Sequence, residues 1–262
     1  MTDASDIFSD TLDLFTTDDP LTASPSEVHY GPIQSKIPDH EGKAFMVLAS
    51  QIFNSGLVMA EMMELGRIKP AGTRILELGA STSLPTLLAS SFDSPPDSIL
   101  TTDYPDAILI KNLQGNLQRN AHLAKCPITA QGYKWGDDVE PLLATLPDPT
   151  KGFTLLILSD TLWLHDEHTN LLRTISNTLS RTEPGYVYFT TGHYAKRPIV
   201  EEFFHRIETE VEMEYEEMTY GDKWEGEMPV DIGVGPERHY LDVRKAAVWC
   251  FRAWRRGLKP TL

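Results

Sequence analysis

The sequence predicts an α/β fold of three layers, built on an open, mostly parallel sheet of seven strands. Three observations carry that prediction. Apolar segments of strand period and of helix period alternate from residue 73 to residue 209. The run Leu155-Leu156-Ile157-Leu158 contains no polar residue, as expected of a strand covered on both faces. After the fifth strand the alternation stops, and two long strand-like segments follow close together, which predicts a C-terminal antiparallel pair at one edge.

Taken in order, residues 1–40 are rich in Asp, Ser, Thr and Pro and read as an acidic, loosely ordered extension. Residues 41–262 read as a single domain that opens with a helical segment over 41–70. There Phe45, Leu48, Ile52, Leu57, Met59, Met62, Met63 and Leu65 fall at helical spacing, as one helix or as two broken near Asn54-Ser55-Gly56. Pro70-Ala71-Gly72 stops it. Strands are expected at 73–78, 98–102, 127–131, 153–158, 185–191, 211–219 and 245–254, with helices at 84–92, 105–120, 166–180 and 198–209. Asp166 is placed as an N-cap ahead of Leu171, Leu172 and Ile175. Pro184-Gly185 breaks the chain before the alternating strand Tyr186-Val187-Tyr188-Phe189.

A chain of 262 residues is long enough for a large core. No apolar run reaches the roughly 18 residues that cross a bilayer, so no membrane partner is expected. The N-terminus lacks the basic-then-apolar order of an export signal, and Cys126 and Cys250 are too isolated for a disulfide scaffold or a zinc site. A reducing cytoplasmic setting, or a nuclear one, follows as the expectation. The net charge of −15 argues against nucleic acid as a partner. Eleven carboxylates stand against Arg206 and Lys223 over 199–228, which suits either a solvated face or a surface that attracts a basic protein. His165-Asp166-Glu167-His168 lacks the spacing and the third ligand of a metal site and reads as a helix start. Oligomeric state is not legible.

In open α/β sheets, ligands bind beyond the carboxyl ends of the strands, so the residues following each strand matter most. Glu77 and the turn Gly79-Ala80-Ser81 follow the first strand; small residues let a ligand approach the backbone, and the next helix offers free N–H groups. Asp103 ends the second strand, 26 residues beyond Glu77, a placement that suits a carboxylate gripping a ribose diol; a helix N-cap before Pro105 is the competing reading. Trp135 and Gly136 follow the third strand, where the indole either lies against an adenine or anchors a turn. Ser159 and Asp160 end the fully apolar fourth strand, and a carboxylate there needs a partner. His193 and Tyr194 follow the fifth.

Together these strand ends resemble the class I, seven-stranded S-adenosylmethionine-dependent methyltransferases. More narrowly, Leu76-Glu77-Leu78-Gly79-Ala80, Ser83-Leu84-Pro85, Thr102-Asp103-Tyr104-Pro105, Tyr133-Lys134-Trp135-Gly136 and Leu158-Ser159-Asp160 are similar to fungal nicotinamide N-methyltransferase-like proteins of the wider lysine methyltransferase group, family 16. The resemblance runs from about residue 44 to residue 254 and includes Glu237-Arg238-His239-Tyr240. It implies a Rossmann-like methyltransferase fold and a site for S-adenosylmethionine, with S-adenosylhomocysteine as product. Gly79, Ala80 and Ser81 would pass under the methionine portion, Asp103 would hold the ribose, Trp135 and Tyr104 would flank the adenine, and Ser159 would line the sulfonium side. Phe53 falls where the family usually has a Trp near the cofactor. The sequence departs from the pattern at Ser81 and Thr86, which replace glycines, and at Trp163, which replaces a Tyr or Phe. A serine fits the turn if its φ stays negative.

The reaction so implied is methyl transfer to nitrogen or oxygen of a small molecule or a protein amine. Asp160 would orient or deprotonate the acceptor, Trp163 would pack over it, and His193 or Tyr194 would take a proton. Two alternatives stay open: a catalytically silent adaptor that binds cofactor or partner, and a related fold that rearranges or cyclises its substrate. The aromatic set Phe53, Trp163 and Tyr194 points to a small planar acceptor, the acidic surface to a basic protein.

Overall fold

The structure is a computed structural model and describes residues 26–38, 54–233 and 238–259. In chain order come β1 (Glu27–Tyr30), β2 (Ile33–Lys36), α1 (Asn54–Glu64), β3 (Arg74–Leu78), α2 (Leu84–Ser91), β4 (Ser98–Asp103), α3 (Ala107–Asn120), β5 (Ile128–Gly132), α4 (Glu140–Leu143), β6 (Leu155–Ser159), α5 (His168–Thr178), β7 (Tyr186–Gly192), α6 (Arg197–Glu210), β8 (Met213–Glu217), β9 (Val230–Asp231), α7 (Arg238–Ala246) and β10 (Val248–Arg255). Seven of these strands form one sheet in the order β5-β4-β3-β6-β7-β10-β8. The first five run parallel, and β10 runs antiparallel to both of its neighbours.

Period-two side-chain alternation sorts the core into the faces of this sheet. Ile75, Ile99, Leu155 and Ile157 face one way, where Val58, Met59, Met62 and Met63 of α1 cover them. Leu76, Leu78, Leu100, Leu156, Leu158, Val187 and Phe189 face the other way, against Leu171 and Ile175 of α5 and Val200, Phe203 and Phe204 of α6. Removing each such side chain from water contributes roughly 1.5–3 kcal/mol, which explains why the apolar run Leu155–Leu158 of β6 sits at the centre.

Two features depart from the sequence expectation, and a third refines it. The part of the 1–40 extension over 27–36 is an antiparallel hairpin that pairs with β9 in a second, three-stranded sheet. Its inward residues Val28, Tyr30 and Ile33 alternate with outward polar ones and pack on Leu57, Leu84, Leu87 and Leu88. Residues 245–246, expected in the last strand, belong instead to α7. The expected antiparallel pair forms one edge of the sheet, with β8 outermost and β10 between β7 and β8. Arg255 at its end donates to the carbonyls of Ser176 (2.6 Å), Leu179 (3.0 Å) and Ser180 (2.8 Å), closing the C-terminus of α5 with a cation.

Helix α1 is clamped from the far side. Glu61 and Lys245, both with fully buried side chains, pair at 3.0 Å. The Glu61 carboxylate also accepts from the Tyr220 hydroxyl (2.9 Å) and from the backbone N–H groups of Glu225 (2.5 Å) and Gly226 (3.1 Å). One turn on, Glu64 accepts from the Tyr30 hydroxyl at 2.6 Å and from the N–H of Met228 at 2.8 Å, which ties the hairpin, α1 and the 220–228 segment together.

Candidate active site

Strand order reverses at β3, with β4 on one side and β6 on the other, so a crevice opens beyond the carboxyl ends of these strands. A cavity of about 420 Å³ occupies it, within the range usual for small-molecule sites. Its wall includes Glu77 in β3 with Gly79, Ala80 and Ser81 after it, Asp103 at the end of β4 with Tyr104, Trp135 after β5, and Ser159 at the end of β6 with Asp160 and Trp163. Ten of the residues singled out from the sequence thus meet at one place.

The turn after β3 is tightly specified. Gly79 has φ +70°, and a Cβ on it would lie 3.1 Å from Thr161 Cγ2 and 3.3 Å from Trp135 Cζ2, so a side chain there would be strained in its backbone and crowded by both neighbours. The Ala80 N–H donates to the Thr102 carbonyl at 2.9 Å. Asp103 receives the Ser81 N–H at 2.6 Å and the Tyr104 N–H at 2.7 Å. Burial pushes its carboxyl up to about 6, with those two N–H groups pulling the other way. The helix cap that competed for Asp103 belongs to Asp106, whose side chain accepts from the Ile108 N–H at 2.8 Å. Likewise α5 has no side-chain cap from Asp166: a short 3₁₀ turn, His165–Glu167, precedes it.

Ser81 sits at φ +48° and Ser83 at φ +59°, so the expectation of a negative φ for Ser81 is overturned. Both serines hold the left-handed conformation for which glycine is suited. Ser83 and Thr86 have a second role. With Thr101 they surround the buried Glu77 carboxylate, Ser83 Oγ at 3.2 Å, Thr101 Oγ1 at 3.4 Å and the Thr86 hydroxyl as a third donor. Burial pushes Glu77 up to about 7, and these hydroxyls lower it against that trend. Thr86, read from the sequence as a lost glycine, is thus a donor to a buried acid.

Asp160 occupies the opposite wall at φ +61°. Its carboxylate accepts from the Gly192 N–H at 3.1 Å and from the Tyr194 hydroxyl. Burial pushes it up to about 6, against the lowering effect of Tyr194, Gly192 and Ser55. The Tyr194 hydroxyl is held well above its ordinary range by burial and by Asp160. Two hydroxyl oxygens beside it, Ser159 Oγ and Thr161 Oγ1, are buried without a hydrogen-bond partner among the described residues. Such groups are costly unless a ligand or water satisfies them.

Not every sequence candidate joins this wall. His193 is exposed and packs its ring 4.3 Å from Trp249, away from the cavity. Tyr194 stands behind Asp160 rather than on the wall. Gly136 (φ +86°) turns against Asn170 and donates its N–H to Thr174 Oγ1 at 2.9 Å. Phe53 lies outside the described residues. Conversely, Gly56, Leu57, Thr161 and Glu167 line the cavity and were not singled out. Gly56 carried a signal, a small residue within a helical pattern, but it reads as a breaker; Leu57 carried none. Among the described residues no group of three or more His, Cys, Asp or Glu side chains could hold a metal ion, and no helix is long and apolar enough to cross a membrane.

The family model described as lysine methyltransferase matches residues 39–210, the span that builds both walls. The chain belongs to the lysine methyltransferase family. Within the family, the protein N-terminal and lysine N-methyltransferase EFM7 of Kluyveromyces lactis is 32% identical over 53% of this chain and 56% of its own length. The protein of the same name from Eremothecium gossypii is 31% identical over 68% of this chain and 73% of its own. The chain spans 56% and 62% of the Kluyveromyces lactis and Emericella nidulans relatives that it matches. A candidate S-adenosylmethionine-dependent methyltransferase from Streptococcus mutans shares the fold, with a TM-score of 0.52 at 12% identity, over 88% of this chain and 56% of its own.

Proposed function

We propose that this chain is an S-adenosylmethionine-dependent methyltransferase that acts on a protein amine. The observation that carries the reading is the cradle at the switch point: the Gly79–Ser81 turn anchored on Asp103, in a cavity whose wall also includes Tyr104, Trp135, Ser159, Asp160 and Trp163. That donor set fits the cofactor. Gly79, Ala80 and Ser81 would hold its amino-acid portion, Asp103 its ribose, and Trp135 with Tyr104 its adenine. The relatives' names, which specify protein N-termini and lysines, support an amine acceptor.

The cofactor, once bound, supplies a methyl group already activated by its sulfonium, so the protein's contribution is positioning. Asp160 stands at the acceptor side with its carboxyl near 6, ionised at neutral pH and able to attract an ammonium. Its basicity is far below the value of about 10.4 for a lysine amine, so it holds and orients the acceptor rather than stripping its proton. The apolar wall around it, Leu57 and Trp163 included, disfavours the charged amine and eases that loss. Tyr194 and Gly192 fix the carboxylate from behind. A basic protein as substrate is supported by the acidic 199–228 stretch, although Glu201, Glu210, Glu214, Glu216, Glu217 and Glu225 already have partners in the fold. The thiols of Cys126 and Cys250 are both free, which supports a reducing cytoplasmic or nuclear setting.

Calorimetry with S-adenosylhomocysteine and label transfer from S-adenosylmethionine to peptides with either a free N-terminus or an internal lysine test the proposal. Saturable binding with transfer to one peptide class is expected. Absence of binding at millimolar ligand would refute it, and binding without transfer to any amine would favour the adaptor alternative.

A further inference from the structure

A left-handed serine costs about 1–2 kcal/mol, and two of them within three residues persist only where surrounding contacts hold them. Asp103 and Glu77 hold the two serines from within the segment that matches the family, and a further contact reaches the turn from outside that segment, from the hairpin of β1 and β2. Ser35, fully buried on β2, donates its hydroxyl at 2.6 Å to the carbonyl of Thr82, the residue between the two serines. Asn116, fully buried on α3, reaches the same carbonyl with Nδ2 at 3.2 Å. The same side chain pairs with Lys36, giving Nδ2 to its carbonyl at 2.9 Å and accepting its N–H at 2.8 Å. One turn on, Asn120 repeats the pairing with Gln34 at 2.7 and 3.0 Å. One turn back, Asn112 donates to the Lys36 carbonyl at 3.0 Å and to that of Ser81 at 3.5 Å.

Three asparagines at four-residue spacing share one face of α3. Two of them, Asn116 and Asn120, exchange hydrogen bonds with alternate residues of β2 as a neighbouring strand would. The free edge of the hairpin is thereby fastened to the helix, and the hairpin to the turn.

We infer that the β1–β2 hairpin is a brace that holds the Ser81–Ser83 turn in its ligand-ready shape, with Ser35 and Asn116 as positioning residues. The inference rests on the proposed reading of that turn as the S-adenosylmethionine cradle. Glycines reach positive φ freely but leave a turn loose; serines reach it at a cost that the brace offsets, which leaves the turn pre-organised. Without the brace, the serines relax toward negative φ and the cradle must be rebuilt on binding.

The test is a cycle read by calorimetry with S-adenosylhomocysteine and by hydrogen exchange of the 81–83 amides in the ligand-free protein. Ser35→Ala is expected to weaken binding about five- to tenfold and to speed that exchange, while Ser35→Thr restores both. In a Ser81→Gly background the loss from Ser35→Ala is expected to shrink below about twofold, because glycine reaches the required φ without support. A protein weakened only in its general stability would lose melting temperature equally in both backgrounds without this coupling. Unchanged binding in Ser35→Ala, or the same loss in both backgrounds, overturns the inference. If the parent protein binds no S-adenosylhomocysteine, the proposed function falls, and hydrogen exchange alone decides the brace: faster exchange in Ser35→Ala upholds it and unchanged exchange removes it.

Discussion

Lys245→Met is expected to destabilise the protein through α1 rather than through the site itself. The Lys245 ammonium lies 3.0 Å from Glu61, and neither side chain is exposed to water. It also donates to the Lys223 carbonyl and lies 4.1 Å from the centre of the Tyr220 ring. Removing one member of a buried pair typically costs about 3–5 kcal/mol, because the remaining charge is stranded. Glu61 keeps three other donors, from Tyr220, Glu225 and Gly226, so the lower end, ~3 kcal/mol, is expected. For a domain of this size that is a fall in melting temperature of about 6–12 °C. Adding Glu61→Gln should recover part of it: a glutamine oxygen still accepts the two backbone N–H groups, while its NH2 turns to the Tyr220 oxygen and no bare charge is left. Thermal and urea unfolding of the parent, both single variants and the double variant measure this. A fall of less than about 2 °C in Lys245→Met, or a double variant as unstable as the sum of the singles, would refute the reasoning.

Ser81→Gly should raise the melting temperature slightly, since relief of a left-handed side chain (about 1–2 kcal/mol) exceeds the entropy that glycine adds to the unfolded chain. Ser83→Gly should show no such gain, because the same relief is offset when Glu77 loses a buried donor at a cost of about 1–3 kcal/mol; equal effects from the two would be evidence against distinct roles. Asp160→Asn should reduce turnover by about a hundredfold or more while S-adenosylhomocysteine affinity in calorimetry stays within about threefold. Glu77, Asp103 and Asp160 are all raised by burial, to about 7, 6 and 6, so the folded ligand-free chain holds protons that the unfolded chain releases. Their contribution to stability is therefore fully present below about pH 4 and is lost as pH rises through about 6 to 7. Melting curves across that window should show this decline, and Glu77→Gln should flatten its upper part.

The parallel core was legible because its signals are local. Leu155 to Leu158 is what a doubly covered strand requires, and strands placed at 73–78, 98–102 and 185–191 match β3, β4 and β7 to within a residue at each end. The site was legible to the extent that strand ends announce it: Gly79, Asp103, Trp135, Ser159 and Asp160 all reach the cavity. What escaped depends on long-range pairing. The hairpin over 27–36 hides in an acidic, proline-bearing context, and its partners Asn116 and Asn120 are 80 or more residues away. The left-handed serines escaped because φ is not written in composition; it follows from hydrogen bonds that only the folded chain makes. His193 misled for the opposite reason. Strand-end position says where a backbone goes, but Trp249 on the neighbouring strand decides where the ring lies.

The placement of β10 governs how this side of the sheet is held together. It follows β8 in the chain yet lies between β8 and β7, so β8 reaches the sheet only through β10. Without β10, β7 presents an open row of amides and carbonyls, the kind of surface on which nascent chains stick to one another. In the folded sheet β10 pairs with β7 on one side and β8 on the other, and the same strand carries Arg255 onto the end of α5. One strand thus works as a latch, sealing an aggregation-prone seam and locking a distant helix.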